Sequence, residues 1–319
     1  MGNMKIIAIV ALVIFCSCSQ KSDNTDIKKG ANPAQTEKSV TKTTEKEIKS
    51  EERKEHLVLV QGGTFKMGSE VESDEKPVHD VTVSDFYISR YEVTVHEWYD
   101  FLKALDKKDF ETAKKFSTSA VVYDKDGNLQ IMSTKDIDDA SCAANEISWY
   151  AAVEYCNWKS EKEGLSKSYT INGEKVTCDF TAKGYRLPTE AEWEFAARGG
   201  NKSEGYKYSG GSNYLKVAWM SENSGSKVHP VGTKEPNELG LYDMSGNLYE
   251  WCWDWYSDNY YKSSPKENPT GPSTGSRRVK RGGYWDNPAN YCRVAHRGSH
   301  FYPYFSFSDG DGFRLSRTK

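Results

Sequence analysis

The side chains best suited to chemistry with another molecule are concentrated near the C-terminus of this chain, in residues 284–311. This C-terminal segment holds no Lys, Glu, Gln or Met, although Lys and Glu are abundant elsewhere, and it is crowded with Tyr, Phe, His, Asn, Ser, Asp and Gly. Rigid aromatic rings give contact area at low entropic cost and small polar groups give adaptable hydrogen bonds, so this composition is typical of a recognition surface. The alternative is an aromatic, turn-rich end of a β-rich domain.

The cysteines and histidines are the candidate nucleophiles and metal ligands of this chain. Cys292 lies among apolar and aromatic neighbours, which favours a buried structural thiol over a reactive one. His296 and His300 are four residues apart, but in a loop that spacing does not place two rings on one face. His79, His96 and His229 lack the spacing of metal ligands, so the histidines indicate no zinc site.

Length and charge set the class of protein. The 319 residues suffice for one large domain or two small ones, and the net charge of -3 offers no polyelectrolyte basis for binding nucleic acid. Aromatic residues make up 13%, including 9 Trp and 20 Tyr, which exceeds the needs of an average core and suits a recognition protein. A Trp-rich core is the alternative explanation for many of these rings.

The N-terminus is typical of an export signal. Lys5 precedes an apolar run over residues 6–15, which has the length of a signal-peptide hydrophobic region and is short for a membrane span. A small residue before Cys18 resembles a bacterial lipobox, which predicts a signal peptide over residues 1–17 and a lipidated Cys18. Acyl chains there would hold the protein at the outer membrane or cell surface. A plain cleaved signal or an uncleaved anchor is the alternative.

Residues 18–54 are rich in Lys, Glu, Thr and Ser with almost no aromatics, so they predict a disordered tether. A flexible chain of this length reaches roughly 30 Å. The globular domain is predicted over residues 55–319. Five cysteines follow Cys18, an odd number that leaves at least one thiol unpaired within the chain.

The elements that must position the C-terminal segment are short strands and a few capped helices. Residues 57–60 and 62–68 predict a strand, a turn and a second strand, and residues 81–83 and 86–88 continue in strand-like alternation. Thr94 begins a helix to about Leu105, and Ser148 begins a second that runs to Gly164. Thr189 and Glu192 form a capping box for a third helix. Residues 107–141 predict a surface insertion with a small hairpin at the Asp126-Gly127 turn.

Seven motifs in order along the domain resemble the formylglycine-generating enzyme (sulfatase-modifying factor) family. They are residues 62–69 (GGTFKMGS), 91–94 (YEVT), 147–149 (ISW), 155–158 (YCNW), 186–194 (RLPTEAEWE), 240–251 (GLYDMSGNLYEW) and 281–283 (RGG). The resemblance implies an α+β, C-type-lectin-like fold with small twisted antiparallel sheets, two main helices and long ordered loops.

The enzymes of this family oxidise a substrate cysteine with a pair of active-site cysteines that bind copper. The matching positions here are Asn287 and Cys292, so one thiolate of the pair is missing and two-thiolate ligation of Cu(I) is ruled out there. We therefore expect the fold without the enzyme, and no cofactor at that site. The alternative function is a formylglycine-generating-type oxidase acting on protein cysteine.

The resemblance also implies a candidate calcium segment, with oxygen donors from Asp243, Gly246, Leu248 and Glu250. The alternative is a metal-free loop in which Asp243 caps a turn.

The C-terminal segment further resembles the variable repeat that diversity-generating retroelements mutate in some members of this family. Such elements alter adenines in an Asn-coding template, and the altered codons cannot yield Lys, Glu, Gln, Met or Trp. The segment has none of these except Trp285. Its flanks, residues 278–283 (RVKRGG) and 312–315 (GFRL), look like the invariant ends of such a repeat.

A segment that tolerates such variation needs fixed residues to hold its path and exposed residues to vary. The candidates for the fixed set are Trp285, Ala289, Cys292, Arg293, Ala295, Arg297, Pro303 and Phe313. The candidate ligand-binding residues, expected to face solvent, are Tyr284, Asp286, Asn287, Asn290, Tyr291, Val294, His296, Gly298, Ser299, His300, Phe301, Tyr304, Phe305, Phe307 and Asp309.

The sequence therefore predicts a lipid-anchored, non-catalytic surface protein whose C-terminal segment binds a protein or glycan ligand that varies between versions. A structural envelope protein without a ligand is a further alternative, and it predicts a buried tail that is poor in polar residues.

Overall fold

The computed structural model describes residues 57–133, 140–300 and 309–319, with the backbone alone at His300. The predicted signal peptide, Cys18 and the tether lie outside the described residues. The side chain of His300 and four candidate ligand-binding residues also lie outside them, together with one candidate of the fixed set. These five residues are Phe301, Tyr304, Phe305, Phe307 and Pro303.

The first sheet joins the two ends of the domain. Its four antiparallel strands lie in the order β1 (Leu57–Val60), β4 (Phe86–Ser89), β14 (Ser316–Thr318) and β9 (Tyr185–Arg186). In this register Ser316 lies opposite both Ile88 and Arg186. Because the last strand sits between two earlier ones, the chain that follows the C-terminal segment is fixed within the domain.

The second sheet holds the C-terminal segment at both ends. Its order is β12 (Gly298–His300), β11 (Arg278–Arg281), β10 (Tyr249–Trp255) and β13 (Asp311–Gly312). β11 pairs antiparallel with β10 and β12, whereas β13 runs parallel to β10. The segment leaves directly after β11 and ends in β13, so its two ends lie on either side of the same central strand.

The helices begin where the capping signals predict. α1 (Val95–Asp106) has the complete capping box of Thr94 and Glu97, and α3 (Trp149–Lys162) is capped by Ser148. α4 (Glu190–Ala197) has the second capping box, formed by Thr189 and Glu192. Two shorter helices are α2 (Phe110–Lys115) and α5 (Tyr214–Val217). The predicted positions of the three main helices are confirmed.

Three two-stranded ribbons complete the regular structure. They are β2 (Gly63–Met67) with β3 (His79–Val83), β5 (Val121–Tyr123) with β6 (Leu129–Ile131), and β7 (Tyr169–Asn172) with β8 (Lys175–Cys178). The second ribbon is the hairpin predicted around the Asp126-Gly127 turn, which confirms that prediction. Short 3-10 turns cover Ser73–Glu75, Gly200–Lys202, Tyr260–Lys262 and Ala289–Cys292.

Much of the aromatic content lies inside the domain. Trp98 and Trp149 are fully buried in one cluster together with Phe313, while Trp193 is buried in a second cluster under α4. A core with this many indoles accounts for part of the high Trp content, as the alternative from composition allowed. The predicted α+β class is confirmed. In the part of the chain that the structure describes, no helix has both the length and the apolar character needed to cross a membrane.

Candidate functional site

Two glycines set the start of the C-terminal segment. Gly282 and Gly283 have φ values of 96° and 72°, a conformation that side chains with a Cβ rarely adopt. A Cβ on Gly283 would lie 2.8 Å from the sulfur of Cys292. The RGG motif therefore turns the chain out of β11 and lets it fold back closely on the 3-10 turn Ala289–Cys292.

Arg293 anchors the middle of the segment to the scaffold. Its guanidinium donates two hydrogen bonds to the carboxylate of Glu75, at 2.9 Å from Nη1 and 2.7 Å from Nη2. Both side chains are buried. Burial would raise the pKa of Glu75, but the hydrogen bonds from Arg293 and Ser69 outweigh it and lower the pKa. The ionised pair thus ties the segment to the 3-10 turn Ser73–Glu75.

Arg297 anchors the segment a second time, on α4. Its Nε lies 2.7 Å from Oε1 of Glu190 and its Nη2 lies 3.0 Å from Oε2. Arg281, the last residue of β11, donates to the same Oε1 at 3.0 Å and pairs with Glu194 one turn further along α4. Two arginines therefore meet one buried carboxylate, which links the segment, β11 and α4.

The two ends of the segment approach each other around Tyr284. A Cβ on Gly310 would lie 2.4 Å from the ring of Tyr284, so only a residue without a side chain lets the backbone approach this ring so closely. The side-chain amide of Asn145 donates to the carbonyl of Asp309 at 2.9 Å, and Lys280 pairs with the buried Asp311 at 2.7 Å. The base of the segment is thus closed by contacts with residues outside it.

The structure exposes part of the candidate ligand-binding set. Asp286, Asn290, Tyr291 and Asp309 are exposed, and 42% of the surface of Tyr291 is accessible to solvent. Partly exposed candidates are Tyr284, Asn287, Gly298 and Ser299. These side chains supply rings, amides and carboxylates, which can stack on and hydrogen-bond a ligand. Of the candidates for fixed residues, Trp285, Cys292, Arg293, Ala295, Arg297 and Phe313 are buried, and Ala289 is partly buried.

Two candidates do not face solvent, and the expectation of exposure is wrong for them. Val294 is 2% exposed and belongs to the apolar cluster under α4, where its carbonyl accepts a hydrogen bond from Arg281. His296 is 9% exposed, and its ring meets that of Tyr291 edge-on at 4.8 Å. Val294 and His296 are buried because they lie between Arg293 and Arg297, whose ion pairs hold this part of the chain against the scaffold.

Burial also changes the chemistry of His296. Loss of water, together with the nearby positive charges of Arg281 and Arg293, lowers the pKa of this imidazole to about 4. Its Nδ1 is buried without a hydrogen-bond partner. The ring is therefore neutral at neutral pH and serves as part of the packing beneath the exposed residues.

Cys292 lies in an apolar pocket. It is fully buried and packs with Tyr208, Val217, Ala218 and Met220, and burial raises the pKa of its thiol to about 12. This agrees with the interpretation of Cys292 as a structural cysteine.

Asn287, at the other family position, uses its side-chain oxygen to accept a hydrogen bond from the amide of Tyr284 at 3.2 Å. One protonated thiol and one amide are not the donor set of a Cu(I) site, so the residues at these two positions do not fit copper.

The candidate calcium segment does not fit calcium as a set. The carboxylate of Glu250 accepts hydrogen bonds from Nε and Nη2 of Arg314, both at 2.6 Å, and from Trp193 at 2.7 Å. A carboxylate held by a guanidinium in this way is already satisfied. Asp243 accepts from the amide of Gly232 at 2.7 Å, which matches the alternative in which it caps a turn. Across the three described ranges of the chain, no group of three or more His, Cys, Asp or Glu side chains is arranged to hold a metal ion.

The carboxylates around this segment share a buried site. Glu92 accepts hydrogen bonds from the amide of Leu248 and the side chain of Asn247. Burial, followed by the charges of Asp243 and Glu250, raises the pKa of Glu92, and burial raises the pKa of Asp243 to about 6. Proton uptake therefore relieves the crowding of negative charge there. Gly246 serves the packing, because a Cβ on it would lie 2.1 Å from the carbonyl oxygen of Trp219.

The sequence marks the arginines that hold the segment but does not mark their partners. Glu75 lies in the charged stretch of residues 70–76, and Glu190 lies in the first turn of a helix. One signal was available for α4, since Glu190 and Glu194 are four apart and lie on one helical face. No comparable local signal marks Glu75.

Comparisons with known proteins agree with this geometry. The family described as sulfatase-modifying factor enzyme 1-like domain matches residues 42–319. A Paenibacillus barcinonensis protein named "Chaperone protein LppX" is 34% identical over 295 residues, which span 82% of this chain and 89% of that protein. The formylglycine-generating enzyme of Streptomyces coelicolor is 32% identical over 271 residues, 76% of this chain and 83% of the enzyme.

Among solved structures, Treponema denticola variable protein 1 superposes with a TM-score of 0.67 at 31% identity, covering 82% of this chain and 95% of that protein. The crystal structure of CarF superposes with a TM-score of 0.60 at 29% identity, covering 83% and 98%. The C-type-lectin-like fold implied by the sequence motifs is confirmed by these likenesses.

Proposed function

The chain belongs to the sulfatase-modifying factor enzyme 1-like family, and within that family we propose that it is a non-catalytic binding protein whose C-terminal segment carries the ligand-binding surface. The likeness to a treponemal variable protein supports this proposal, since that protein is named for its variability. The replacement of one family cysteine by Asn287 and the burial of Cys292 support the non-catalytic part.

One observation carries the proposal: the fixed and the exposed residues of the segment are separated by the buried ion pairs. Arg293 and Arg297 hold the backbone through Glu75 and Glu190, so buried groups carry most of the path of the segment. Among the exposed residues, Asn290 also contacts an anchor, because its Oδ1 accepts a hydrogen bond from Nε of Arg293 at 3.2 Å. Substitutions at exposed positions that make no such contacts usually change stability little. A binding surface whose contacts vary while its fold stays constant needs such a separation between buried anchoring residues and exposed contact residues.

The exposed part of the segment fits recognition of a protein or glycan. Tyr291 offers a rigid ring, and Asn290 offers the NH2 donor of an amide whose Oδ1 accepts a hydrogen bond from Nε of Arg293. Asp286 and Asp309 add two carboxylates, whereas the two arginines of the segment are buried and paired. A ligand would therefore meet aromatic, amide and acidic groups. We place the protein on the cell surface, anchored by lipidated Cys18 through residues 18–54.

The test is a library in which Asp286, Asn290, Tyr291 and Asp309 are varied together in the full chain. The library is selected against an array of surface proteins and glycans, and the unfolding of each selected variant is followed by circular dichroism. The proposal expects variants with different ligands and nearly equal unfolding midpoints. A matched library at four exposed residues of the β7–β8 ribbon should yield no binders; these are Thr170, Asn172, Lys175 and Thr177. A C-terminal library that mostly unfolds, or that yields no more binders than the control, contradicts the proposal.

The second candidate function is an oxidase that acts on protein cysteine, and its support is the 32% identity to the Streptomyces coelicolor enzyme. It is tested with purified protein incubated with Cu(I) and a thiol peptide. Copper bound in a one-to-one ratio together with thiol-dependent oxygen uptake would favour the oxidase. The Cys292→Ser variant is the control, because oxygen uptake that survives this substitution does not come from this thiol.

A further inference from the structure

A groove between α1 and α3, outside the C-terminal segment, has the character of a binding site. Its volume is about 540 Å³, which is within the range of small-ligand sites. One wall is the face of α1 that carries Asp100, Lys103 and Lys107 at spacings of three and four, and the other is the face of α3 with Trp158 and Lys162. The groove is open to solvent along the ends of both helices.

The floor of the groove is fixed by the core. The indole of Trp158 packs against Phe101 at 5.4 Å and Tyr155 at 5.3 Å, measured between ring centroids. Its outer face carries the ammonium of Lys162, which lies 4.6 Å from the ring centroid and 3.4 Å from Oδ2 of Asp100. The indole is therefore a rigid apolar surface covered by a movable cation.

The rim of the groove has uncompensated positive charge. Four lysines and two acidic residues line it. Asp100 is neutralised by Lys162, and the other carboxylate, Glu161, pairs with Lys167 at 2.9 Å. Lys103, Lys107 and Lys108 are exposed, and no ion pair of theirs occurs among the described residues. Three exposed lysines therefore line one groove, and the ammonium of Lys103 lies 5.4 Å from the ring centroid of Tyr99.

The favourable effect of lysines at the end of a helix explains part of this pattern, because cations stabilise the negative end of the helix dipole. It does not explain why the lysines of α1 line the same groove as Lys162 of α3. Lys103 and Lys107 are four residues apart, about 6 Å along the helix axis. They present a row of charges, which fits a ligand with repeated anionic groups better than a single small anion.

From this arrangement we propose that the groove between α1 and α3 binds a sulfated polysaccharide, with Lys103, Lys107 and Lys108 on the sulfates and Trp158 beneath a sugar ring. A sulfate that draws Lys162 away from Asp100 uncovers the indole for that ring. This site is separate from the C-terminal segment, so the proposal stands independently of the proposed function.

The test measures binding of the full chain to dextran sulfate, with neutral dextran as the uncharged reference. The triple variant Lys103→Gln, Lys107→Gln and Lys108→Gln removes the charges and keeps unbranched polar side chains of similar helix propensity. It should weaken binding about tenfold, as the loss of three exposed ion pairs implies. It should also make the dependence of binding on salt concentration less steep. Its unfolding midpoint should fall by no more than about a few degrees, the effect of losing the favourable interaction of these lysines with the helix dipole.

The matched control is the triple variant Lys175→Gln, Lys202→Gln and Lys266→Gln, which removes the same charge from exposed positions elsewhere on the domain. It should change binding by about twofold or less, the effect of a distant screened charge. Equal losses in both triple variants, or no binding of dextran sulfate by the unaltered chain, overturn the proposal.

Phosphatidylglycerol vesicles serve as a competing anionic surface. If the groove variant loses vesicle binding but keeps dextran sulfate binding, the polysaccharide proposal is overturned in favour of a lipid surface. Replacing Asn290 and Tyr291 by Ala should leave dextran sulfate binding unchanged, which separates this site from the C-terminal segment.

Discussion

Arg297 and Glu190 form a buried ion pair with two hydrogen bonds, at 2.7 Å and 3.0 Å, that joins the C-terminal segment to the first turn of α4. The ring of Tyr261 lies on the other side, with its centroid 4.3 Å from the guanidinium carbon. Glu190 also accepts a hydrogen bond from Arg281, the last residue of β11. One carboxylate therefore holds both β11, which precedes the segment, and Arg297, which precedes β12. The position of the segment therefore depends on α4, which is itself set by a capping box.

Breaking the other anchor should destabilise the domain strongly. Arg293→Met leaves Glu75 buried without its cation, which should cost about 3–5 kcal/mol in the free energy of unfolding. Denaturant unfolding measures this loss. The double variant with Glu75→Leu removes the stranded charge as well and should recover much of it. A double variant that is no more stable than Arg293→Met would show that Arg293 does not act by neutralising a buried charge on Glu75.

Substitutions at neighbouring positions of the segment should differ in how much they lower the free energy of unfolding. Tyr291→Ala removes a ring that is 42% exposed and meets the edge of the His296 ring, so it should cost no more than about 1 kcal/mol in the free energy of unfolding. Val294→Ala removes buried methyl groups and should cost about 2 kcal/mol. Thermal unfolding of the two variants side by side gives the comparison. Equal losses would show that the segment is not divided into packed and exposed residues.

Stability should fall in acid because of His296. The pKa of this imidazole is about 4 in the folded chain and about 6.5 when unfolded. Below pH 6.5 the imidazole of the unfolded chain binds a proton that the folded chain does not yet bind. The free energy of unfolding is therefore highest above pH 6.5, and it falls by roughly 3 kcal/mol as the pH drops to 4. The slope in this window should shrink in His296→Phe. An NMR titration of His296 with a midpoint near 6.5 would refute the prediction.

The thiol of Cys292 should be inert in the folded protein. Since burial raises its pKa to about 12, almost no thiolate exists at neutral pH, and the sulfur is also shielded from solvent. Iodoacetamide labelling followed by mass spectrometry should modify Cys292 only after denaturant is added. Labelling in the folded protein at a rate close to that of a free thiol would revive a reactive role.

Calcium should have little effect on this domain. The two hydrogen bonds from Arg314 satisfy Glu250, so removing calcium with EGTA or adding it in millimolar amounts should leave the unfolding midpoint unchanged. Magnesium added at the same concentration is the control for ionic strength. A rise in the midpoint with calcium alone would show that Asp243 and its neighbours bind the metal in spite of the pairing.

The sequence by itself determined the local structure and the outline of the site. The capping boxes of Thr94 and Thr189 depend on residues three positions apart, so their chemistry is visible in the sequence. The family motifs gave the fold, and the composition of residues 284–311 marked the segment. The place of Arg293 and Arg297 within that segment makes them candidates for fixed residues.

Only the tertiary structure decided which groups those arginines meet. Their partners lie 218 and 107 positions away, and no local pattern joins residues at such distances. The same contacts decided the burial of Val294 and His296, because a loop has no periodicity from which the inward side can be read. Pairing of Glu250 with Arg314 likewise depends on the strand order that places the C-terminus inside the domain. Local hydrogen bonds are therefore predictable from sequence, whereas buried charge pairs depend on the whole fold.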